Sequence, residues 1–265
     1  MHTMAEPATR QQEEKLPEKK VSPKALTRLG HAKAAIAVTK QVLSFGAGNQ
    51  VEAIRATKMN SRFRLQAIRN HSYWEMAPEI RHLAMGYPDA LVAAKADLVH
   101  GGNCGEHAWV AYHYLRLHAK GDPIQVSAKS GLDHAFVIMG DLKNEKDNEM
   151  AVSDPWPNNP TACLWEDHFA FTPDRTKIEN HQSMVADGKS FKGAIAAGLK
   201  LSSYGEQLVN QMASDEETKQ KTDKWKENHF WNHDDAASEK FEYKPDEAQQ
   251  QAGAQQGGQQ QQQGQ

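Results

Sequence analysis

The chain has 265 residues, a formal net charge of -3 and 38% hydrophobic residues, which suits one soluble globular domain with a full-sized core and loose ends. The mildly acidic balance argues against a dedicated nucleic-acid binder, which would carry a basic stripe. Two cysteines, Cys104 and Cys163, cannot build a disulfide framework, so reduced thiols are expected.

Residues 1–23 are polar and hold Pro7, Pro17 and Pro23; a disordered arm is expected there. They contain no apolar core, so no Sec signal peptide is read, and no run approaches the roughly 20 apolar residues of a membrane span. The expected location is cytoplasmic, or exported by another route. Residues 24–235 read as the folded domain, and residues 236–265, ending in "QQQAGAQQGGQQQQQGQ", as a low-complexity Gln/Gly tail.

Within the domain, Ala25, Leu29, Ala32, Ile36 and Leu43 recur at helical spacing before the stop "FGAG". A second helical stretch runs from Gln50 through Ile68. "PEIRHLAMG" and "PDALVAAKADLVHGG" each open with proline and close with glycine, as helices do. A helix beginning at Cys104 follows. The period then changes. "DPIQVSA", "LDHAFVIMG" and "EMAVSDPW" read as strands, with "TACLW" a further short one. "SFKGAIAAGLKLSSYGEQLVNQM" returns to helix, and the charged run from Ser214 to Lys226 reads as an exposed helix or a fraying end. Helices followed by an antiparallel hairpin sheet give an α+β class.

The chemistry gathers around "HGGNCGEHAWVAYHYLRLHA". Cys104 falls at the first turn of a helix, where unpaired N–H groups and the dipole favour the thiolate. Cys104, Ala108, Ala111 and Leu115 form one stripe, whose alanines allow close packing on a sheet. His134 opens one strand, thirty residues after Cys104, and Asp154 closes the next, twenty residues further on. An antiparallel pairing can bring these two ends together. His134 would then face Cys104 on one side and Asp154 on the other, as nucleophile, base and orienter.

The ordered pattern "GNCGEHA…DHAFV…SDPW" resembles the core of the transglutaminase-like, papain-like cysteine superfamily over about Gly101 to Trp156. The superfamily includes transglutaminases, peptide N-glycanases, cysteine proteases and bacterial effectors or toxins that deamidate or cleave host proteins. The resemblance implies Cys104 as nucleophile, His134 as base and Asp154 as orienter, on a helix-then-sheet core. It implies a protein substrate, attacked at a glutamine side chain or a peptide bond, and no cofactor. The papain branch carries an oxyanion-hole glutamine a few residues before the cysteine, where this chain has Gly101, Gly102 and Asn103. The transglutaminase branch often uses an upstream tryptophan, for which Trp74 is the counterpart here. Deamidase or transglutaminase leads, with a protease of the same fold and a non-catalytic adaptor as alternatives.

The remaining candidates have plainer readings. Cys163 reads as core filler. His107 makes a Cys-x-x-His pair with Cys104, half of a zinc site, but no second pair is visible, so no metal is expected. His113 and His118 read as solvated helix positions. Trp156 either shields the site from water or simply packs.

Overall fold

The computed structural model describes residues 15–226 and 240–247. In chain order the elements are β1 (Glu18–Val21), α1 (Pro23–Val42), α2 (Val51–Ala56), α3 (Asn60–Arg69), β2 (Trp74–Met76), α4 (Arg81–Gly86), α5 (Pro88–Val99) and α6 (Cys104–His118). Then come β3 (Pro123–Lys129), β4 (Leu132–Met139), β5 (Ala151–Ser153), β6 (Cys163–Leu164) and β7 (Ile178–Val185). The series closes with α7 (Lys192–Ala197), β8 (Leu199–Leu201), α8 (Ser203–Val209), α9 (Asp215–Lys226) and β9 (Glu242–Pro245). The class is α+β, as expected.

The main sheet has five antiparallel strands in the order β6-β5-β4-β3-β7. Alternation along β4 divides its side chains between two cores. Val137 and Met139 face α1 and α6, meeting Ala32, Ala35, Ala108, Ala111 and Leu115. Phe136 and Ile138 point the other way, to Met150, Val152, Trp165 and Ala170. The alanine stripe of α6 therefore does what its spacing predicts, letting that helix lie close on β3 and β4.

Helix α1 starts at Pro23 because Ser22 caps it, its hydroxyl accepting from the Ala25 N–H at 3.1 Å. Such a cap stabilises by about 1 kcal/mol. Further along the helix, Arg28 is 1% exposed. Its guanidinium donates to Asp122 Oδ1 at 2.9 and 3.0 Å, to the Glu149 carbonyl at 2.9 Å and to the Glu145 carboxylate. One buried cation thus fastens α1 to the turn before β3 and to the loop between β4 and β5.

The structure departs from the sequence reading at several points. The expected arm covers 1–23, but Glu18–Val21 forms a strand that pairs in parallel with Glu242–Pro245, inside the expected tail. The folded unit therefore reaches past the 24–235 boundary on both sides. Val21 is buried, and Tyr243 donates to Asp167 while accepting from the Leu164 N–H; these few apolar and aromatic anchors are diluted by lysines in the sequence. Residues 1–14 and 248–265 lie outside the described residues. The stretch from Gln50 to Ile68 is two helices, broken where Lys58 and Met59 take positive φ. The stretch read as helix hides another break: "LKL" (199–201) is β8, pairing with β2. The run 214–226 is a helix whose Thr222 is fully buried and receives a bond from Arg55 at 2.9 Å, so it is docked rather than fraying.

Replacing Arg28 by Ala leaves the Asp122 and Glu145 carboxylates without their shared cation. An expected loss of about 3 kcal/mol should be seen in urea unfolding of the full chain; a change under about 0.5 kcal/mol, the scale of a plain surface substitution, would show that Arg28 does not fasten α1.

Candidate active site

The nucleophile helix is set by the turn before it. Helix α5 ends with His100 in the left-handed region, φ 55°, and the chain then passes through Gly101, Gly102 and Asn103. Asn103 is the N-cap of α6, its N–H donating to Glu106 Oε2 at 2.7 Å. A Cβ on Gly102 would lie 2.4 Å from Glu106 Cβ. Glycine is thus required there by the inward fold of Glu106, a local reason that needs no substrate. Cys104, partly exposed, is the first residue of the helix.

His134 enters β4 near its start and is 3% exposed. The last paired residues of the neighbouring strands are Val137 and Ser153, so His134 and Asp154 both project from the same end of the β4–β5 pair. His134 Nε2 lies 2.6 Å from Asp154 Oδ2. The Cys104 side chain is, after Asp154, the other neighbour that favours charge on the ring. Burial opposes a charge on the ring, but attraction to Asp154, the bond to Asp154 and the Cys104 contact outweigh it and lift His134 to about 10. Burial likewise opposes the Asp154 carboxylate, which His134 and His168 nevertheless hold far below its ordinary range.

His168 was not foreseen. Its Nε2 lies 3.2 Å from the same Asp154 Oδ2, and its Nδ1 accepts from the Ala170 N–H at 3.3 Å. That second bond fixes the tautomer, so Nε2 carries a proton and donates to Asp154. Burial lowers His168 against the pull of Asp154, keeping the ring neutral. The Trp156 N–H adds a contact to Asp154 Oδ1 at 3.3 Å. A sequence signal existed: "LDHAF" and "EDHFAF" place Asp-His before aromatics twice.

Trp156 is 3% exposed, its ring centroid 4.9 Å from that of His134. Its indole N–H donates to Asn49 Oδ1 at 2.9 Å, and its carbonyl accepts from Gln50 Nε2 at 2.8 Å. Phe169 lies on His134 at 5.3 Å. Trp156 therefore both packs and covers the histidine. Trp74 is placed elsewhere: its indole N–H donates to the Ala67 carbonyl at 2.8 Å, and its ring packs among Val99, Ala96 and Leu199 neighbours in the helical cores. Spent on Ala67, that N–H is not offered to an oxyanion.

The other histidines separate by burial. His107 is wholly buried, with Nδ1 donating to the Asn103 carbonyl at 2.7 Å. Burial and nearby Lys40 push it down to about 3, which keeps it neutral. His113 is buried 3.1 Å from Asp89 rather than solvated, because α5 packs over that face of α6; His118 is exposed. Among the described residues no group of three or more His, Cys, Asp or Glu side chains is arranged to hold a metal ion, and no helix is long and apolar enough to cross a membrane.

Two cavities adjoin these residues. The larger, about 540 Å³, abuts Asp154 and His168 from behind and includes Cys163, Leu29, Ile36 and Tyr243 in its wall. Burial raises the Cys163 thiol well above its ordinary range, with Asp154 and Asp167 adding to the effect. The smaller, about 320 Å³, reaches Asn103 at the head of the Cys104 helix. No protein-family model matches the chain, and no curated protein or solved structure matches it either.

Iodoacetamide near neutral pH should modify Cys104 at least tenfold faster than Cys163, because the latter's thiolate is suppressed. Peptide mass mapping, with the unfolded chain as reference, reads the ratio; equal rates would remove the distinction between the two thiols.

The His134–Asp154 pair should also make stability depend on pH. His134 titrates higher folded than unfolded, so its contribution is complete below about 6.5 and disappears as the pH rises toward about 10. Asp154, held low, contributes fully above 3.8 and stays constant through that window, and His168, lowered by burial, adds nothing to the slope once the unfolded ring has lost its proton above about 6.5. The margin of wild type over Asp154→Asn in urea unfolding should therefore narrow between pH 6.5 and 10. A margin that holds or widens would refute the charged pair.

Proposed function

We propose that the chain is a cysteine-dependent acyl-transfer enzyme on a transglutaminase-like, papain-like core, acting on glutamine side chains of protein substrates as a deamidase or transglutaminase. The observation that carries this reading is the buried His134–Asp154 pair at 2.6 Å, with partly exposed Cys104 among the groups that favour charge on His134. A structural thiol needs no base and no buried counter-charge. A nucleophilic one needs both.

In the proposed sequence His134 already carries the proton, as the charged partner of Asp154 and of a Cys104 thiolate, and the Cys104 sulfur attacks the carboxamide carbon. The developing oxyanion is met by the Cys104 backbone N–H, directed outward at the start of α6. The tetrahedral adduct collapses by breaking the C–N bond, and His134 delivers its proton to the departing nitrogen, which leaves as ammonia. A thioester remains on Cys104. Water then attacks while His134 removes its proton, giving the carboxylic acid and the free thiol. A primary amine in place of water gives the crosslinked amide. Asp154 keeps the imidazolium stable in both halves, and His168 and the Trp156 N–H keep Asp154 ionised and fixed. Trp156 and Phe169 exclude water from the ring. Secretion as a bacterial effector remains part of the resemblance.

Intact-mass measurement on candidate protein substrates, with wild type and Cys104→Ala, tests the reading. A gain of about one dalton marks deamidation and linked masses mark transamidation, since both follow the same thioester. Fragments would instead assign a protease, and an unchanged substrate set with an unreactive Cys104 would assign an adaptor.

Among variants that stay folded by circular dichroism, Cys104→Ala and His134→Ala should each abolish turnover. The double variant should be little worse than either, because the two act as one unit. Asp154→Asn should lose about 10²- to 10⁴-fold, since an amide still orients the ring but no longer stabilises its charge. His168→Gln should lose about tenfold, the value of one bond to a charged group, and should shift the pH profile, which a purely structural role would not. Wild-type turnover in Cys104→Ala would end the nucleophile assignment.

A further inference from the structure

The larger cavity reaches Asp154 and His168, but among the described residues in its wall neither Cys104 nor His134 appears, so the chemistry of the triad does not account for it. Much of the wall is apolar, with Leu26, Leu29 and Ile36 on α1, Pro160 and Ala162 ahead of β6, and Phe241 ahead of β9. Most polar groups in the wall are committed to each other or to near neighbours. Asp154 Oδ2 faces His134 and His168, and His168 Nδ1 accepts from the Ala170 N–H. The Asp167 carboxylate receives Lys19 at 2.7 Å and the Tyr243 hydroxyl at 2.8 Å, and Glu242 receives Lys244. Lys33 and Lys240 differ from these. Both line the cavity and both are exposed. Lys240 donates to a neutral acceptor, the Asp167 carbonyl, at 3.1 Å, and among the described residues neither ammonium group is ion-paired with a carboxylate. Native interiors leave few voids larger than a water molecule. A space of about 540 Å³, apolar in its body and carrying cations in its wall, has instead the character of a ligand pocket.

We propose that this cavity is a binding site for a medium-chain aliphatic carboxylate, its hydrocarbon chain among Leu26, Leu29, Ile36 and Phe241 and its head group held by Lys33 and Lys240. The proposal stands apart from the acyl-transfer reading, since it needs no turnover at Cys104. A hydrocarbon chain gains by leaving water for such walls. A sugar or nucleotide would give up the hydration of many polar groups to walls whose donors and acceptors are mostly engaged already. An amine head group would be repelled by the two lysines, and an alcohol would forgo their charge.

Binding of sodium decanoate to the full chain is measured by isothermal titration calorimetry below its micellar concentration, with one saturable site expected. Octanoate should bind about tenfold more weakly, the value of two buried methylenes. Among probes of eight carbons, 1-octanol should bind several-fold more weakly than octanoate and octylamine more weakly still, and the differences should narrow at high salt. Lys33→Gln/Lys240→Gln alters two exposed side chains, so the fold should survive it, and it should bring octanoate down to the level of 1-octanol. Lys200→Gln, on the β2–β8 pair, should leave every value unchanged.

A second arm places the ligand, because Cys163 lies in the cavity wall and Cys104 does not. Both thiols are modified with methyl methanethiosulfonate at about pH 9, since the Cys163 thiolate is suppressed at lower pH, and peptide mass mapping reads each rate. At about ten times its Kd, decanoate should slow Cys163 about tenfold, because only the empty form reacts, while Cys104 keeps its rate. Vesicles of phosphatidylglycerol separate a free carboxylate from a lipid surface and should not bind. Absence of saturable decanoate binding, equal binding of the three eight-carbon probes, or a Cys163 rate that decanoate leaves unchanged would overturn the site. Binding to vesicles without binding to decanoate would overturn it in favour of a membrane surface. An unreactive Cys104 would count against the acyl-transfer reading alone, while Cys163 still reports the cavity.

Discussion

The buried carboxylate of Asp154 is the constraint around which this end of the molecule is organised. An ion taken out of water demands compensation at every oxygen. Here Oδ2 faces both His134 and His168, and Oδ1 faces the Trp156 N–H. Each partner has its own support. Ala170 holds His168, the aromatic rings of Trp156 and Phe169 hold His134, and the loop at Asn49 and Gln50 holds Trp156. Removing the negative charge would therefore disturb two histidines, one turn and one loop together. This is also why the histidine next to Cys104 can be both buried and charged.

The same loop joins the two halves of the site. Ala47 forms a bridge with Gly102, and Gly48 donates to the Gly102 carbonyl, so residues 45–50 touch the nucleophile turn on one side and Trp156 on the other. Helices that look remote in the chain, α1 through α3, are in this way the frame that keeps the Cys104 turn registered against the β4–β5 pair. Lys40, donating to the Pro157 carbonyl at 2.6 Å, adds a further tie from the end of α1.

Much of this was legible in the sequence because its signals were local. Glycines and Asn103 before a helical stripe announced the position of Cys104, and two alternating runs announced β4 and β5, hence the meeting of His134 and Asp154. What stayed hidden had no local pattern. Strand β7 is almost wholly exposed along its length, from Ile178 to Val185, so it lacks the alternation that marks a half-buried strand. Strands β1 and β9 depend on a pairing between residues more than two hundred positions apart, which no window along the chain can contain. His168 becomes meaningful only once folding sets it against Asp154. Trp74 shows the reverse case, a residue singled out by resemblance whose indole N–H folding commits to the Ala67 carbonyl.

The parallel pairing of β1 with β9 also has a mechanical meaning. Glu18 to Val21 run beside Glu242 to Pro245 in the same direction, and both strands anchor on Asp167, through Lys19 at 2.7 Å and Tyr243 at 2.8 Å. A force that drew the two ends of the chain apart would pull these strands along their length in opposite senses. Their hydrogen bonds would then bear the load together, as a clamp in shear, instead of opening one after another as a zipper does. Threading of the chain through a narrow pore from either end would meet this clamp before it reached the sheet that carries His134.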